Sequence, residues 1–90
     1  MSEKIIDAPE ILSWLHARIA QELNSEIEDI DFAQPLDLLG LDSVSLLWIA
    51  GELAEWLEIE ITTAMVFENT NLSELSQKTF EIYLASKSDS

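Results

Sequence analysis

The chain has 90 residues, 48% of them hydrophobic, which is enough for one small domain with one core and too few for two. Eighteen acidic and four basic residues give a net charge of −14, which makes binding to a phosphate backbone unfavourable and favours basic protein partners over nucleic acid. Cysteine is absent and there is one histidine, so disulfides, thiolate metal sites and most imidazole-based sites are excluded.

The chain carries no pattern typical of a membrane protein. The first ten residues contain acids and no apolar stretch of signal-peptide length, and the longest apolar run, 44–54, is interrupted by Ser45 and Glu52 and is far shorter than a membrane span. We expect a cytoplasmic monomer with no membrane association. Between Arg18 and Lys78 there is no basic side chain, so the middle of the chain must present an acidic surface, which serves either partners or solubility alone.

The first predicted helix runs from about Pro9 to Leu23. Asp7 can cap it, and Pro9 suits the first helical turn. Trp14 and His16 fall on other sides of this helix, and His16 is expected to be an ordinary, partly exposed residue. The apolar residues that recur at helical spacing are Ile11, Leu12, Leu15, Ile19 and Leu23.

A long loop is predicted from Asn24 to Leu41, because the helical period fails there. Its acidic residues do not form a calcium loop, since no register that begins at Asp29, Asp31 or Asp37 supplies both the glycine and the glutamate of an EF-hand. We expect apolar residues to hold this loop against the core. These are Ile27, Ile30, Phe32, Leu36 and Leu38.

The second predicted helix begins at Asp42 or Ser43 and ends near Leu57. Either Asp42 or Ser43 can accept hydrogen bonds from the first free backbone N–H groups, and Leu41 and Leu46 stand at the spacing of a hydrophobic staple. The predicted core stripe contains Val44, Leu47, Gly51 and Ala54, widened by Leu46, Ile49, Ala50, Leu53 and Leu57.

Two tryptophans and several acids lie around the rest of this helix. Trp48 and Trp56 are eight residues apart and are predicted to lie near one another. Packing at the edge of the core is the expectation for both, and contact with a partner or cargo is the alternative. The acids on the outer side are Glu52, Glu55 and Glu58.

Two further helices are predicted. A short third helix spans about Thr63 to Glu68, after a cap by Thr62 or Thr63. The fourth spans about Leu72 to Ala85, where Asn71 and Glu74 can form a capping box. Its predicted inner face contains Leu72, Leu75, Thr79, Ile82 and either Phe80 or Tyr83. The sequence thus predicts an all-α four-helix bundle: one domain over 1–90, with an ordered core at 9–85 and tails at 1–6 and 86–90.

Ser43 is the most informative polar residue. A helix cap is its simplest role. A serine hydrolase is disfavoured because His16 is the only histidine and no nucleophile-elbow glycines surround Ser43, and it would require turnover by the purified protein alone. The free N–H groups and the dipole at a helix N-terminus would, however, favour a phosphate attached to the hydroxyl. Ser43 is therefore interpreted as an acceptor of a phosphate-linked group.

The segment Gly40, Leu41, Asp42, Ser43 and Val44 resembles the attachment motif of the acyl and peptidyl carrier proteins. The resemblance covers nearly the whole chain, from 11 to 77. The stretch 65–72, "MVFENTNL", is most similar to carriers of polyketide and nonribosomal peptide synthases. It departs from their pattern where Thr70 and Asn71 replace a proline and a threonine.

This resemblance implies that a separate phosphopantetheinyl transferase attaches 4'-phosphopantetheine from coenzyme A to Ser43. The thiol of that arm would then carry acyl, aminoacyl or peptidyl cargo as a thioester. Asp42 is implied to support the modification beside a transient magnesium ion. The resemblance implies no catalytic residue and no resident metal ion. The implied partners are an acyl- or aminoacyl-loading enzyme and ketosynthase, condensation or other acyl-processing enzymes, with the carrier working in trans.

The acidic surface would help such partners to dock. Glu52 and Glu55 can steer basic patches, while Val44, Leu47 and Met65 offer apolar contacts near the arm. An alternative function is an unmodified acidic helical adaptor or inhibitor of a basic protein. That alternative explains the charge but not the motif at 40–44.

Overall fold

The computed structural model describes residues 5–88, which contain helices and no strand. The four α-helices are α1 (Ala8–Leu23), α2 (Ser43–Leu57), α3 (Thr63–Glu68) and α4 (Leu72–Ser88), with two 3₁₀ turns, Ile27–Asp29 and Leu36–Leu38, in the long loop. The predicted all-α fold is confirmed. The predicted tail is wrong for 86–88, where α4 continues because neither glycine nor proline stops it. Residues 1–4 and 89–90 of the predicted tails lie outside the described residues.

Side-chain caps fix where the helices begin. The Asp7 carboxylate accepts a hydrogen bond from the Glu10 N–H at 3.0 Å, and the Thr62 hydroxyl accepts one from the Met65 N–H at 3.1 Å. At α4 the Asn71 side chain accepts from the Glu74 N–H, while the Glu74 carboxylate accepts from the Thr70 N–H, both at 2.9 Å. The Glu74 carboxylate thus reaches back one residue further than a standard capping box.

The main core joins all four helices to the long loop. Leu36 and Leu39 anchor the loop in this core, and the Leu36 N–H donates to the Thr70 carbonyl at 2.8 Å. Ile27 and Leu38 do not anchor it as predicted, since they are 47% and 60% exposed. The buried core residues are Ile11, Leu15, Ile19, Leu36, Leu39, Ile49, Leu53, Leu57, Met65, Leu72, Leu75 and Tyr83.

Aromatic and charged contacts fix α1 against α2. The Trp14 and Trp56 rings stack with centroids 5.5 Å apart. One turn later in α1 and one turn earlier in α2, Arg18 Nε donates to Glu52 Oε1 at 2.5 Å. Both contacts fit a single antiparallel register of the two helices. Packing at the core edge was predicted for Trp48 as well as Trp56, but Trp48 is 68% exposed.

The two faces of α2 have different surroundings. Its buried residues are Leu46, Ile49, Ala50, Leu53 and Leu57. The predicted core stripe is wrong for Val44, Leu47 and Gly51, which are exposed. Leu46 and Ala50 form a second apolar cluster with Val66 of α3. This cluster holds α3 against the N-terminal half of α2.

Candidate functional site

Ser43 is the first residue of α2, and its side chain is exposed. Gly40 precedes it with φ at +97°, a backbone conformation that glycine adopts without the steric cost that other residues incur. A Cβ on Gly40 would lie 3.6 Å from Leu23 Cδ2, an ordinary contact, so the dihedral angle and not crowding favours glycine here. Leu41 packs into the second cluster with Leu46, which completes the predicted hydrophobic staple.

Asp42 is the residue that caps α2, a role for which the sequence left Asp42 and Ser43 as alternatives. Its Oδ1 accepts a hydrogen bond from the Ser45 N–H at 2.7 Å. This hydrogen bond from the Ser45 N–H is the largest cause of the pKa of Asp42 lying below its ordinary 3.8. The Ser43 hydroxyl has no hydrogen-bond partner among residues 5–88. It is therefore available for covalent modification.

A groove of about 490 Å³ runs beside Ser43, between the start of α2, the second 3₁₀ turn and the connection from α3 to α4. Leu46 and Val66 form its buried apolar floor, and Phe67, which is 52% exposed, stands at its edge. Its lining residues are Pro35, Leu36, Asp37, Leu41, Asp42, Ser43, Leu46, Val66, Phe67, Asn69 and Thr70. The free hydroxyl and this mixture of apolar and hydrogen-bonding groups fit an attached phosphopantetheine arm.

Four of the five predicted partner-contact residues line one groove, and Met65 does not. Val44, Leu47 and Glu55 line a second groove, of about 630 Å³, on the outer face of α2. Glu52 also lines it, but its carboxylate is already paired with Arg18. Met65 is only 8% exposed and packs in the main core, so the partner contact predicted for it has no surface on which to form.

Glu52 belongs to a polar network that spans α1 and α2. Arg18 also pairs with Glu22 at 3.1 Å, and the Ser45 hydroxyl donates to Glu22 Oε2 at 3.1 Å. The hydrogen bond from Arg18 lowers the pKa of Glu52, and the bond to Glu52 is the largest cause of the raised pKa of Arg18. This pairing reduces the negative charge that Glu52 can present to a partner.

Two further residues of the second groove are Trp48, for which partner contact was only the alternative prediction, and Gly51, which was assigned to the packed side of α2. The helical spacing of 44, 48, 51 and 55, which share one stripe, could have identified them. Sequence reasoning missed Asp37 and Asn69 in the groove beside Ser43, where the sequence shows no periodic pattern. The described part of the chain contains no group of three acidic or histidine residues able to hold a metal ion.

No helix among residues 5–88 is long and apolar enough to cross a membrane. The family model described as the phosphopantetheine attachment site matches residues 13–78, which include Asp42, Ser43 and the rest of the motif at 40–44.

Two known proteins are similar to this chain in sequence. The acyl carrier protein TtuC of Teredinibacter turnerae is 32% identical over 75 residues, covering 83% of this chain and 86% of that protein. The highly reducing polyketide synthase Preu1 of Preussia isomera is 34% identical over 68 residues, which cover 76% of this chain but only 3% of that protein.

A solved structure shares the fold. Asl1650, described as an acyl carrier protein from Anabaena sp. PCC 7120 with a variant phosphopantetheinylation-site sequence, is 29% identical, with a TM-score of 0.77. The similarity covers 91% of this chain and 97% of that one. Carrier proteins of this family are generally not catalysts, and they act with phosphopantetheinyl transferases and synthase enzymes. The chain belongs to the phosphopantetheine-binding family of acyl carrier proteins.

Proposed function

We propose that Ser43 is the residue that bears 4'-phosphopantetheine and that the thiol of this arm carries acyl, aminoacyl or peptidyl cargo as a thioester. The observation that carries the proposal is the exposed, unbonded Ser43 hydroxyl at the start of α2, beside the groove of about 490 Å³. The absence of cysteine is consistent with a thiol that the attached arm supplies. The chain contributes the attachment point, and separate enzymes contribute the catalysis.

The surroundings of Ser43 suit this modification. In the transfer, a bond forms between Ser43 Oγ and the phosphorus next to the pantetheine, and the bond from that phosphorus to adenosine bisphosphate breaks. The serine proton passes to a base supplied by the transferase or to solvent. The dipole of α2, a helix of 15 residues, favours the resulting phosphodiester at its N-terminus. Asp42 holds the first turn of α2 in place and offers its carboxylate beside the site, which supports its proposed role during transfer.

We place the carrier with polyketide, nonribosomal peptide or related biosynthetic enzymes. The similarity to TtuC and to a segment of a polyketide synthase supports this setting. The proposed partners are a loading enzyme and a ketosynthase, condensation or other acyl-processing enzyme. Val44, Leu47 and Glu55 are proposed to contact them, because these side chains are exposed on the outer face of α2 within reach of the arm.

Mass analysis of the intact protein tests the attachment site. Incubation with coenzyme A and a broad-range phosphopantetheinyl transferase should add one phosphopantetheinyl group to the wild type and none to Ser43→Ala. Ser45→Ala is the matched control, since Ser45 lies two residues further along the same helix turn and should leave modification intact. A wild type that stays unmodified with several transferases would overturn the proposal and favour the unmodified acidic adaptor.

A further inference from the structure

The last turn of α1 contacts both ends of the segment 40–45, which we call the attachment segment. At one end, a Cβ on Gly40 would lie 3.6 Å from Leu23 Cδ2. At the other end, the Ser45 hydroxyl donates a hydrogen bond to Glu22 Oε2 at 3.1 Å. Glu22 and Leu23 are neighbours in the sequence, so one turn of α1 supports the attachment segment on both sides of Ser43.

Arg18 holds the Glu22 side chain in place. Its guanidinium group donates to Glu52 through Nε at 2.5 Å and to Glu22 through Nη1 at 3.1 Å. The two carboxylates belong to different helices, and the planar guanidinium group satisfies both because its N–H groups point in different directions. No other basic residue occurs between positions 5 and 77 of the sequence. In a chain of net charge −14, these two carboxylates would repel each other without Arg18.

Ser45 is the residue through which this network reaches the first turn of α2. Ser43 and Val44, which precede it in that turn, have exposed side chains. The hydrogen bond from the Ser45 N–H to Asp42 lies within the turn, so it shapes the turn without tying it to another helix. The bond from the Ser45 hydroxyl to Glu22 joins the turn to α1. The orientation of the turn relative to α1 therefore depends on where the Glu22 carboxylate lies.

We propose that Arg18 and Glu22 are positioning residues for the modification of Ser43. Arg18 keeps the Glu22 carboxylate beside Ser45, and Glu22 keeps the first turn of α2 in the orientation that the phosphopantetheinyl transferase binds. This inference rests on the proposed carrier function and assigns part of it to α1. A transferase that binds the turn must restore this orientation when the network is broken, so the cost falls on binding and not on the chemical step.

Transferase kinetics test the proposal. Arg18→Met removes the guanidinium group and keeps an apolar stem, and Glu22→Ala removes the carboxylate. With a broad-range transferase and coenzyme A, each change should raise the KM for the carrier roughly two- to fivefold and leave kcat nearly unchanged, as expected for the loss of one partly exposed ion pair. The double variant should raise KM no further than the stronger single change, because both break the same link.

Two further variants complete this experiment. Ser45→Ala keeps Ser43 and is still modified to completion, but it should show the same raised KM because it breaks the last link of the network. Glu81→Ala is the matched control for Glu22→Ala, since Glu81 is an exposed acid on α4 and its removal changes the net charge equally. Its KM should stay at the wild-type value. Circular dichroism verifies that each variant is folded.

The two single changes alter the net charge in opposite directions, which separates positioning from attraction. Arg18→Met makes the net charge of −14 more negative, and Glu22→Ala makes it less negative. If attraction to a basic transferase determined KM, Arg18→Met would lower KM and Glu22→Ala would raise it. Direct contact between Glu22 and the transferase would also be strengthened by Arg18→Met. A raised KM in both variants supports the proposal, and an Arg18→Met KM that is unchanged or lower overturns it.

A second measurement does not depend on the transferase. In ¹⁵N-labelled protein without the arm, the backbone amide signals of residues 43–45 should shift in Arg18→Met and in Glu22→Ala, and they should stay in place in Glu81→Ala. Unshifted signals in Arg18→Met would contradict the positioning role. A wild type that no transferase modifies would contradict the carrier function, whereas these amide signals would still report whether the network positions the turn.

Discussion

The substitution Thr79→Val should stabilise the bundle. Thr79 lies in α4, is 0% exposed, and its Oγ1 has no hydrogen-bond partner although it is fully buried. A buried hydroxyl that forms no hydrogen bond loses its bonds to water and gains nothing in return. Valine has almost the same shape and replaces the hydroxyl with a methyl group, so the surrounding core can stay as it is.

The size of the effect follows from the cost of the unpaired hydroxyl. Leaving such a group buried costs about 1–3 kcal/mol. Threonine and valine have similar helix propensities, so α4 itself changes little. We expect the free energy of unfolding to rise by about 1 kcal/mol or slightly more, which corresponds to a rise in Tm of roughly 4–8 °C for a domain of this size.

Thermal and urea unfolding followed by circular dichroism measure this change. Thr79→Ser is the matched control, because it keeps the hydroxyl and deletes the methyl group. We expect this control to lower stability by about 1 kcal/mol through lost apolar contact and a small cavity. A Thr79→Val protein that is no more stable than the wild type would show that the hydroxyl is hydrogen-bonded, which would refute the reasoning.

Three further results are expected. Gly51→Ala should raise the free energy of unfolding by about 1 kcal/mol in urea titrations, and no gain would mean that the added methyl group is not free of contacts. Asp42→Asn should flatten the acid limb of the stability profile, which is the decrease in the free energy of unfolding at low pH. In the wild type, the lowered pKa of Asp42 stabilises the fold at pH values above 3.8, and this stabilisation is lost as the pH falls through the pKa of Asp42 in the folded state. An unchanged limb would contradict that pKa. Burial against Phe32 lowers the pKa of His16, so its NMR titration midpoint should lie below 6.5, and a midpoint at or above that value would contradict the burial.

Local signals made most of the fold predictable from the sequence. Asp7 and Asn71 cap the helices as predicted, and of the two alternatives for the third helix it is Thr62 that caps, because N-cap chemistry depends only on neighbouring residues. The third helix has the predicted bounds, Thr63–Glu68. The end of α4 was less predictable, since "SKS" neither favours nor stops a helix. The fold prediction rests on helical spacing and the family prediction on the motif at 40–44, and both are confirmed.

The burial of individual side chains was harder to predict, because it depends on where the helices meet. Glu52 and Arg18 are 34 residues apart in the chain, and only the antiparallel register of α1 and α2 brings them together. The same register buries part of Trp56 against Trp14 and leaves Trp48 exposed. Met65 lies on a helix of six residues, which is too short for periodicity to show which side faces the core.

Because Glu52 is paired with Arg18, fewer acidic side chains of α2 are available to contact a partner. A net charge of −14 attracts any basic protein, so charge alone gives little discrimination between partners. The ion pair with Arg18 makes the Glu52 carboxylate part of the contact between α1 and α2. Glu55 is left beside Trp48 and Val44, where an apolar surface and a single charge occur together. A partner that contacts both features is better discriminated than one attracted by charge alone, and for this reason we propose that partners recognise the outer face of α2.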